Sequence, residues 1–310
     1  MLKIRKNLRK VAAIVACLAV TTTFVQAQTP VTINVSTLGA TGAENSGNPT
    51  ESQWGYNATY KTLYLYSENG NYTLTGTNTN IRIGVESALA SNINLTLNGV
   101  NITYAESSNP AVFIGQAVNN FTITLIGNNF LESASYNGIF IMSSGSFTIT
   151  SSSGGSLTAK GQNESILLTP AANFVISGNA AVTAESTSRS AIAASGNIKM
   201  GDAAKLTMKT STAESHPFEK LTPTSTYQWK LTNATTTDPL TNAVIEVSVA
   251  AGQTGKVERV NGTSGIDGIA VENAIVIGYF DILGRKLTEE PTKGLYIIQY
   301  DNGKTKKMIK

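Results

Sequence analysis

The sequence predicts an all-β protein whose main part is a right-handed parallel β-helix, and three observations lead to this fold class. A small polar residue directly before an apolar one opens a short β-like run five times, at intervals of 24 to 28 residues, in the pairs Asn92-Ile93, Asn120-Phe121, Ser146-Phe147, Asn173-Phe174 and Asn197-Ile198. Apolar and polar residues alternate within these runs, as in half-buried strands. No run in this region combines a helical period with a start cap and a stop. A fixed period of this length is typical of stacked copies of one supersecondary unit.

Two further registers run in step with the first. One contains Phe113, Phe140, Leu167 and Ala193, at steps of 27, 27 and 26 residues, and a weaker one contains Val100, Leu157, Val182 and Leu206. Each coil therefore offers up to three short strands, and each strand pairs with its equivalent one coil later. The polar residues that open the runs predict a hydrogen-bonded ladder at one corner of the coil, made by Asn92, Asn120, Ser146, Asn173 and Asn197. An antiparallel sandwich is the alternative fold, but it requires no such period.

The chain divides into five expected segments. A basic start and the ten-residue apolar core of 11–20 predict a signal peptide over 1–27, cleaved after Ala27. Cys17, the only cysteine, leaves a lipoprotein as the alternative. The rest divides into an N-terminal lead-in over 28–51, the β-helix over 52–210, a β cap and linker over 211–265, and a small β unit over 266–310.

Composition points to an exported protein, extracellular or on the outer cell surface. Without the leader and its five basic residues, the chain has 18 Lys and Arg against 20 Asp and Glu, a net charge of −2. No basic stripe favours nucleic acid. The apolar core of the leader is too short to cross a bilayer, and we expect no transmembrane segment in the mature chain.

The C-terminal unit resembles the sorting domain of the type IX secretion system of Gram-negative bacteria, in a shortened form. Three blocks carry the resemblance in order, Phe280-Asp281-Ile282-Leu283-Gly284-Arg285-Lys286-Leu287, Lys293-Gly294-Leu295-Tyr296-Ile297-Ile298, and Gly303-Lys304 with the terminal Lys306-Lys307-Met308-Ile309-Lys310. The resemblance implies that residues 266–310 address the protein to the secretion machinery.

The middle region resembles secreted β-helix proteins classed as carbohydrate-binding. The stretches that carry this resemblance are 69–77 and 93–102, together with the alternating coils after them. The resemblance implies a polysaccharide or a cell-surface glycan as partner, but it transfers no binding residue.

Catalytic groups are scarce in the repeats. Asp202 is the only Asp between residues 52 and 210, and His216, the only His, lies outside the repeats with no expected partner. Glycosidases need two carboxylates at the scissile bond, and pectate-type lyases need several to hold calcium. We therefore expect no catalytic residue and no metal site built from His or Cys.

Two groups of residues are the candidate binding sites. Glu106, Glu132, Lys160 and Glu185 each precede a residue of the Phe113 register by seven or eight positions, which predicts one corner of successive coils. They are interpreted either as solvated charges or as a contact for sugar or for a cation such as calcium, the one cofactor considered. Trp54 and Tyr56 belong to an aromatic cluster at the start of the β-helix, interpreted as an end cap or as a platform for sugar stacking.

The sequence as a whole predicts an exported, non-catalytic β-helix that binds carbohydrate. A structural or adhesive surface protein without a sugar ligand is one alternative, and a polysaccharide lyase-like enzyme is the other. An outward row of aromatic residues on one face would favour sugar binding, and a face of Ser and Thr alone would favour adhesion. Carboxylates clustered in a groove would favour the enzyme.

Overall fold

The protein is a β-solenoid of about five turns with roughly 26 residues per coil, which confirms the stacked parallel architecture. The computed structural model describes residues 30–39, 53–66, 69–85, 92–106, 108–116, 118–143, 145–169, 173–261, 276–300 and 305–309. The expected leader and its cleavage at Ala27 lie outside the described residues. So do residues 262–275, which include the expected linker and the first residues of the expected C-terminal unit. No helix in the described ranges is long and apolar enough to cross a membrane.

The described residues form 26 strands and one short 3-10 helix, Val35–Thr37. The first thirteen strands are β1 Val31–Asn34, β2 Trp54–Asn57, β3 Thr62–Leu65, β4 Gly70–Asn78, β5 Arg82–Val85, β6 Asn92–Tyr104, β7 Val112–Ile114, β8 Asn120–Ile126, β9 Asn128–Ser133, β10 Ile139–Ile141, β11 Ser146–Ser151, β12 Ser156–Gly161 and β13 Ile166–Leu168. The others are β14 Asn173–Gly178, β15 Ala181–Ser186, β16 Ile192–Ala194, β17 Ile198–Met200, β18 Lys205–Lys209, β19 Glu214–Lys220, β20 Tyr227–Thr232, β21 Val244–Val249, β22 Thr254–Asn261, β23 Val276–Phe280, β24 Lys286–Leu287, β25 Leu295–Tyr300 and β26 Thr305–Ile309.

The coils stack into three faces, which we name A, B and C. Face A contains β1, β4, the first half of β6, β8, β11, β14, β17, β19 and β21. Face B contains the second half of β6, then β9, β12, β15, β18, β22 and β20. Face C contains β2, β3, β5, β7, β10, β13 and β16. Faces A and B count as one sheet because β6 runs through the corner between them and pairs with both β8 and β9.

The corner between faces A and B has a residue with positive φ in each coil. Glycine takes this conformation without steric cost, which explains why the chain turns there. The series is Gly76, Gly99, Gly127, Gly154, Gly178 and, in the last coil, Ala203. Buried Asn129 reinforces this corner. Its side chain accepts from the N–H of Val100 at 2.9 Å and donates to the carbonyl of Ser156 at 3.1 Å, so one amide links three coils.

The interior is a continuous apolar column, as the alternation of the strands predicts. Phe121, Phe147 and Phe174 lie in register on β8, β11 and β14, and their rings stack at centroid distances of 5.8 and 5.2 Å. All three side chains are buried. The predicted repeat therefore places equivalent residues directly over one another.

The parallel stack extends further in both directions than the expected range of 52–210. At the start, β1 pairs in parallel with β4, so residues 31–34 of the expected lead-in form part of face A. At the other end, β19 pairs in parallel with β17. Antiparallel strands then close faces A and B, since β21 pairs with β19, and β22 pairs with β18 and β20.

The C-terminal residues form a separate four-stranded antiparallel sheet in the order β24-β23-β25-β26. Its small core contains Tyr296, Ile298 and Tyr300. The turn between β23 and β24 is fixed by Asp281, whose carboxylate accepts from the N–H groups of Leu283 and Arg285 and from Nε of Arg285. These hydrogen bonds lower the pKa of Asp281 below its ordinary value. The side chains of Ile282 and Leu283 at this turn are exposed.

Candidate functional site

Face C presents a row of aromatic and aliphatic side chains to the outside. The middle residue of each short strand points outward while its two neighbours point into the core, as the buried–intermediate–buried pattern of β7, β10 and β13 shows. The row is in register from coil to coil and contains Tyr64, Gly84, Phe113, Phe140, Leu167 and Ala193. We name it the aromatic row.

The aromatic rings of this row contact one another. Phe113 and Phe140 pack edge to face at 5.8 Å, and Tyr136 packs against Phe140 at 6.5 Å. Tyr64 stacks on Tyr66, which points to the same side of the strand, with a centroid distance of 5.8 Å and an interplanar angle of 9°. A Cβ added to Gly84 would lie 3.3 Å from the Tyr64 ring, so Tyr64 also covers the glycine position of the row. All of these rings are half-buried.

The sequence register of Phe113 predicts which residues form the aromatic row, but it does not predict that their side chains point outward. Alternation shows that residues 112, 113 and 114 point in turn to opposite sides of the strand, and with large apolar residues at all three positions it does not show which side is inside. The structure places Val112 and Ile114 in the core and Phe113 outside.

Trp54 and Tyr56, the predicted aromatic candidates, lie at the N-terminal end of face C on β2. Tyr56 is 5% exposed and belongs to the core, and Trp54 packs partly against that core. The Tyr56 hydroxyl is 3.4 Å from the Cβ position of Gly39, in the N-terminal segment. A sugar platform at Tyr56 is therefore wrong, because its ring fills the end of the solenoid.

The predicted acidic series lies on a strand face and not at a corner. Glu132, Lys160, Glu185 and Lys209 form one outward row of face B, in register on β9, β12, β15 and β18. Lys160 is 2.9 Å from Glu132, and Lys209 is 2.9 Å from Glu185. The hydrogen bond with Glu132 raises the pKa of Lys160. Alternating charges thus remove the repulsion expected between carboxylates of successive coils, and the row makes its own ion pairs.

Glu106 is not part of this row, which corrects the prediction. Thr103 pairs with Glu132 and holds the equivalent position on β6. The coil of Glu106 has two more residues between faces B and C than the next coil, so counting back from Phe113 gives the wrong position. Glu106 instead contacts Lys61 at 2.5 Å, and this hydrogen bond lowers the pKa of Glu106.

The polar ladder forms in its N-terminal half. Asn120 donates to the side chain of Asn92, and Asn92 donates to Asn69, both at 2.7 Å. Ser146 and Asn173 continue the register in the next two coils. Asn197 lies at the end of the series, where its amide donates to Glu219 at 3.2 Å. A second ladder two residues further along begins with Asn94, which donates to Asn71 at 3.0 Å.

His216 has a partner that sequence reasoning missed. Its Nε2 atom is 3.4 Å from the Glu214 carboxylate, and both side chains are buried. The same carboxylate accepts from the backbone N–H of Ile192 at 3.0 Å, at the edge of face C. The spacing of two residues on one strand was the available signal, since it puts both side chains on the same side. Glu214 therefore satisfies the first backbone N–H of β16, the last strand of face C.

Among the residues that the structure describes, only face C joins neighbouring aromatic rings into an outward surface. Across the described residues there is no group of three or more His, Cys, Asp or Glu that could hold a metal ion. The carboxylates of the face B row are engaged by lysines. Comparisons with protein-family models, with curated proteins and with solved structures give no match.

Proposed function

We propose that this chain is an exported, non-catalytic carbohydrate-binding protein, and that the aromatic row of face C is its binding surface. The observation that carries the proposal is the in-register succession of Tyr64, Phe113 and Phe140 with Tyr136 beside it. Half-buried aromatic rings held by a rigid sheet offer apolar surface at little conformational cost. Sugar rings with equatorial hydroxyls have apolar faces that pack on such surfaces.

The repeat of the solenoid suits an extended polymer. Successive residues of the row are about 4.8 Å apart, the spacing of hydrogen-bonded strands. This step is close to the length that one pyranose ring adds to an extended chain. A linear polysaccharide that lies along the solenoid axis would therefore meet one row position for each sugar.

Polar groups beside the aromatic row can fix the orientation of a bound polysaccharide. Arg82 and Asn109 are joined by a hydrogen bond of 2.8 Å next to the Phe113 coil. Next to the Phe140 coil, buried Asn137 donates to the Glu164 carboxylate at 2.9 Å and holds this partly exposed group in place. Sites of this kind combine apolar stacking with a few placed polar groups.

Export is the second part of the proposal. Strands β23–β26, with their Asp281–Arg285 turn, form a folded antiparallel sheet over the three sequence blocks on which the proposal of a sorting domain at 266–310 is based. Secretion machinery is the proposed partner of residues 266–310, and the outer cell surface or the medium is the proposed destination.

The test compares two outward phenylalanine positions. The double variant Phe113→Ala/Phe140→Ala removes the centre of the aromatic row, and Phe130→Ala removes an outward, half-buried ring from face B. In polysaccharide pull-down and glycan-array assays, we expect the double variant to lose about tenfold or more in affinity and Phe130→Ala to stay near the original protein. No binding to any polysaccharide at any calcium concentration would reject the proposal in favour of a structural or adhesive role.

A further inference from the structure

Face A presents an uncharged array across five coils, in which every outward side chain but one carries a hydroxyl or an amide group. Two outward columns run through β4, β6, β8, β11 and β14. The first contains Asn71, Asn94, Thr122, Thr148 and Val175, and the second contains Thr73, Thr96, Thr124, Thr150 and Ser177. We name these two columns the threonine array. The first charged residue in line with it is Lys199 on β17, which is paired with Glu219 at 3.7 Å.

The hydroxyl groups of the array are left for a partner outside the protein. Within the described part of the chain, no protein hydrogen bond is made by the side chains of the six threonines, Thr73, Thr96, Thr122, Thr124, Thr148 and Thr150. Each of these side chains is half-buried. Threonine is β-branched and stiff at χ1, so a sheet holds its hydroxyl and its methyl group in fixed positions.

The amides at the N-terminal end of the array are fixed as well. The hydrogen bond from Asn94 to Asn71 aligns the two side chains, and the neighbouring ladder of Asn69, Asn92 and Asn120 borders the array. The array is therefore organised before it meets any ligand, which lowers the entropic cost of binding.

The spacing of the array is that of a two-dimensional lattice. Neighbouring strands are about 4.8 Å apart, and outward residues along one strand are about 6.6 Å apart. A ligand that uses most of these groups at once has to repeat in both directions. A single polymer chain repeats in only one direction, whereas the surface of a crystal repeats in two.

We propose that the threonine array binds the surface of ice. The oxygen atoms of ice prism planes repeat at distances close to both spacings of the array. Hydroxyl groups held at these spacings can take the place of lattice waters, while the threonine methyl groups lie between them. The absence of charge within the array supports this ligand, because a charged group would keep its own hydration shell and disrupt the lattice.

Face B offers a matched control surface on overlapping coils. Thr158 and Thr183 are outward, half-buried and in register on β12 and β15, as Thr122 and Thr148 are on β8 and β11. Their neighbours along the strands include Lys160 and Glu185, so face B is a charged face. The double variant Thr122→Lys/Thr148→Lys breaks the threonine array, and Thr158→Lys/Thr183→Lys adds the same charge elsewhere.

The experiment measures how the purified full-length protein distributes between slowly grown ice and the remaining liquid. Circular dichroism and urea unfolding first establish that each variant is folded. We expect the original protein to be enriched in ice, the Thr122/Thr148 variant to lose about tenfold in ice-to-liquid ratio, and the Thr158/Thr183 variant to change by less than about twofold.

Three outcomes would overturn the proposal. The first is exclusion of the original protein from ice, and the second is an equal loss in both lysine variants. The third is binding to crystalline cellulose that depends on Thr122 and Thr148 without any enrichment in ice, which would assign the array to a solid carbohydrate. Because Phe113 and Phe140 are on another face, their alanine variant should keep its enrichment in ice, so failure of one proposal leaves the other intact.

Discussion

Arg259 on β22 is 1% exposed, and its contacts show how one residue fastens the C-terminal cap to the solenoid. Its guanidinium donates to the carbonyl of Tyr227 at 2.6 Å and to Asp202 at 3.2 Å, and it lies over the Trp229 ring at 4.8 Å. Burial lowers its pKa, and Asp202 acts in the opposite direction. Asp202 lies just after β17 of face A, at the turn into β18, so this ion pair joins the cap to the coil that contains β17 and β18.

The Arg259 contact predicts an unequal effect of two neutralising substitutions. Asp202→Asn leaves a buried cation without its counter-ion, and we expect it to lower the free energy of unfolding by about 2 to 3 kcal/mol. Glu258→Gln removes ion pairs with Lys205 and Lys230, whose side chains are largely exposed, and should cost less than about 1 kcal/mol. Urea unfolding monitored by Trp fluorescence compares the two. Equal costs would show that Asp202 does not stabilise the cap.

At the scale of elements, the short strands are held by pairing with the strands of the neighbouring coils and by the stacked phenylalanine rings inside the solenoid. The three-residue strands β7, β10 and β13 of face C each bury only two side chains, so they depend on the coils above and below them. On face A, Phe147 stacks between Phe121 and Phe174 and is fully buried. The repeated pair of a polar and an apolar residue in the sequence was sufficient to predict this column.

Because Phe147 stacks on both Phe121 and Phe174, we expect this one ring to stabilise three neighbouring coils. Phe147→Ala removes the middle ring and leaves a cavity between two others, for which we expect a loss of about 3 to 5 kcal/mol in unfolding free energy. Phe130→Ala, on the outward side of β9, should cost far less because that position is half-exposed. Urea titrations of both variants measure the difference. Similar losses would mean that Phe147 is not in the shared core.

At the scale of the whole molecule, the solenoid displays three different outward surfaces, and antiparallel strands close face C at its N-terminal end and faces A and B at their C-terminal end. The hairpin of β2 and β3 begins face C, while β20, β21 and β22 end faces A and B. These additions end the parallel edges, which would otherwise present unpaired N–H and C=O groups to other chains. They also explain why Tyr56 is buried, since it belongs to the closing hairpin.

The sequence was sufficient for the coil period, the strand positions and the buried column, because these depend on local alternation and on a fixed repeat. It was insufficient to predict which side chains come together on the outward surfaces. Glu106 was misplaced because corners accept extra residues without disturbing the faces, so spacing across a corner does not fix register. Lys209 was overlooked as the partner of Glu185 because their contact depends on strand pairing 24 positions away. The threonine array needed the same information, since each coil alone shows only a pair of polar residues.

The most direct test of the account is the distance between spin labels on equivalent residues of successive coils. Phe130, Thr158, Thr183 and Thr207 form one outward row of face B, and cysteines at these positions accept labels once Cys17 is replaced by Ala. Electron paramagnetic resonance of the pairs 158/183, 158/207 and 130/207 should give distances that increase by about 4.8 Å with each coil. Distances that do not increase in this order would contradict the stacked solenoid, and with it the aromatic row and the threonine array.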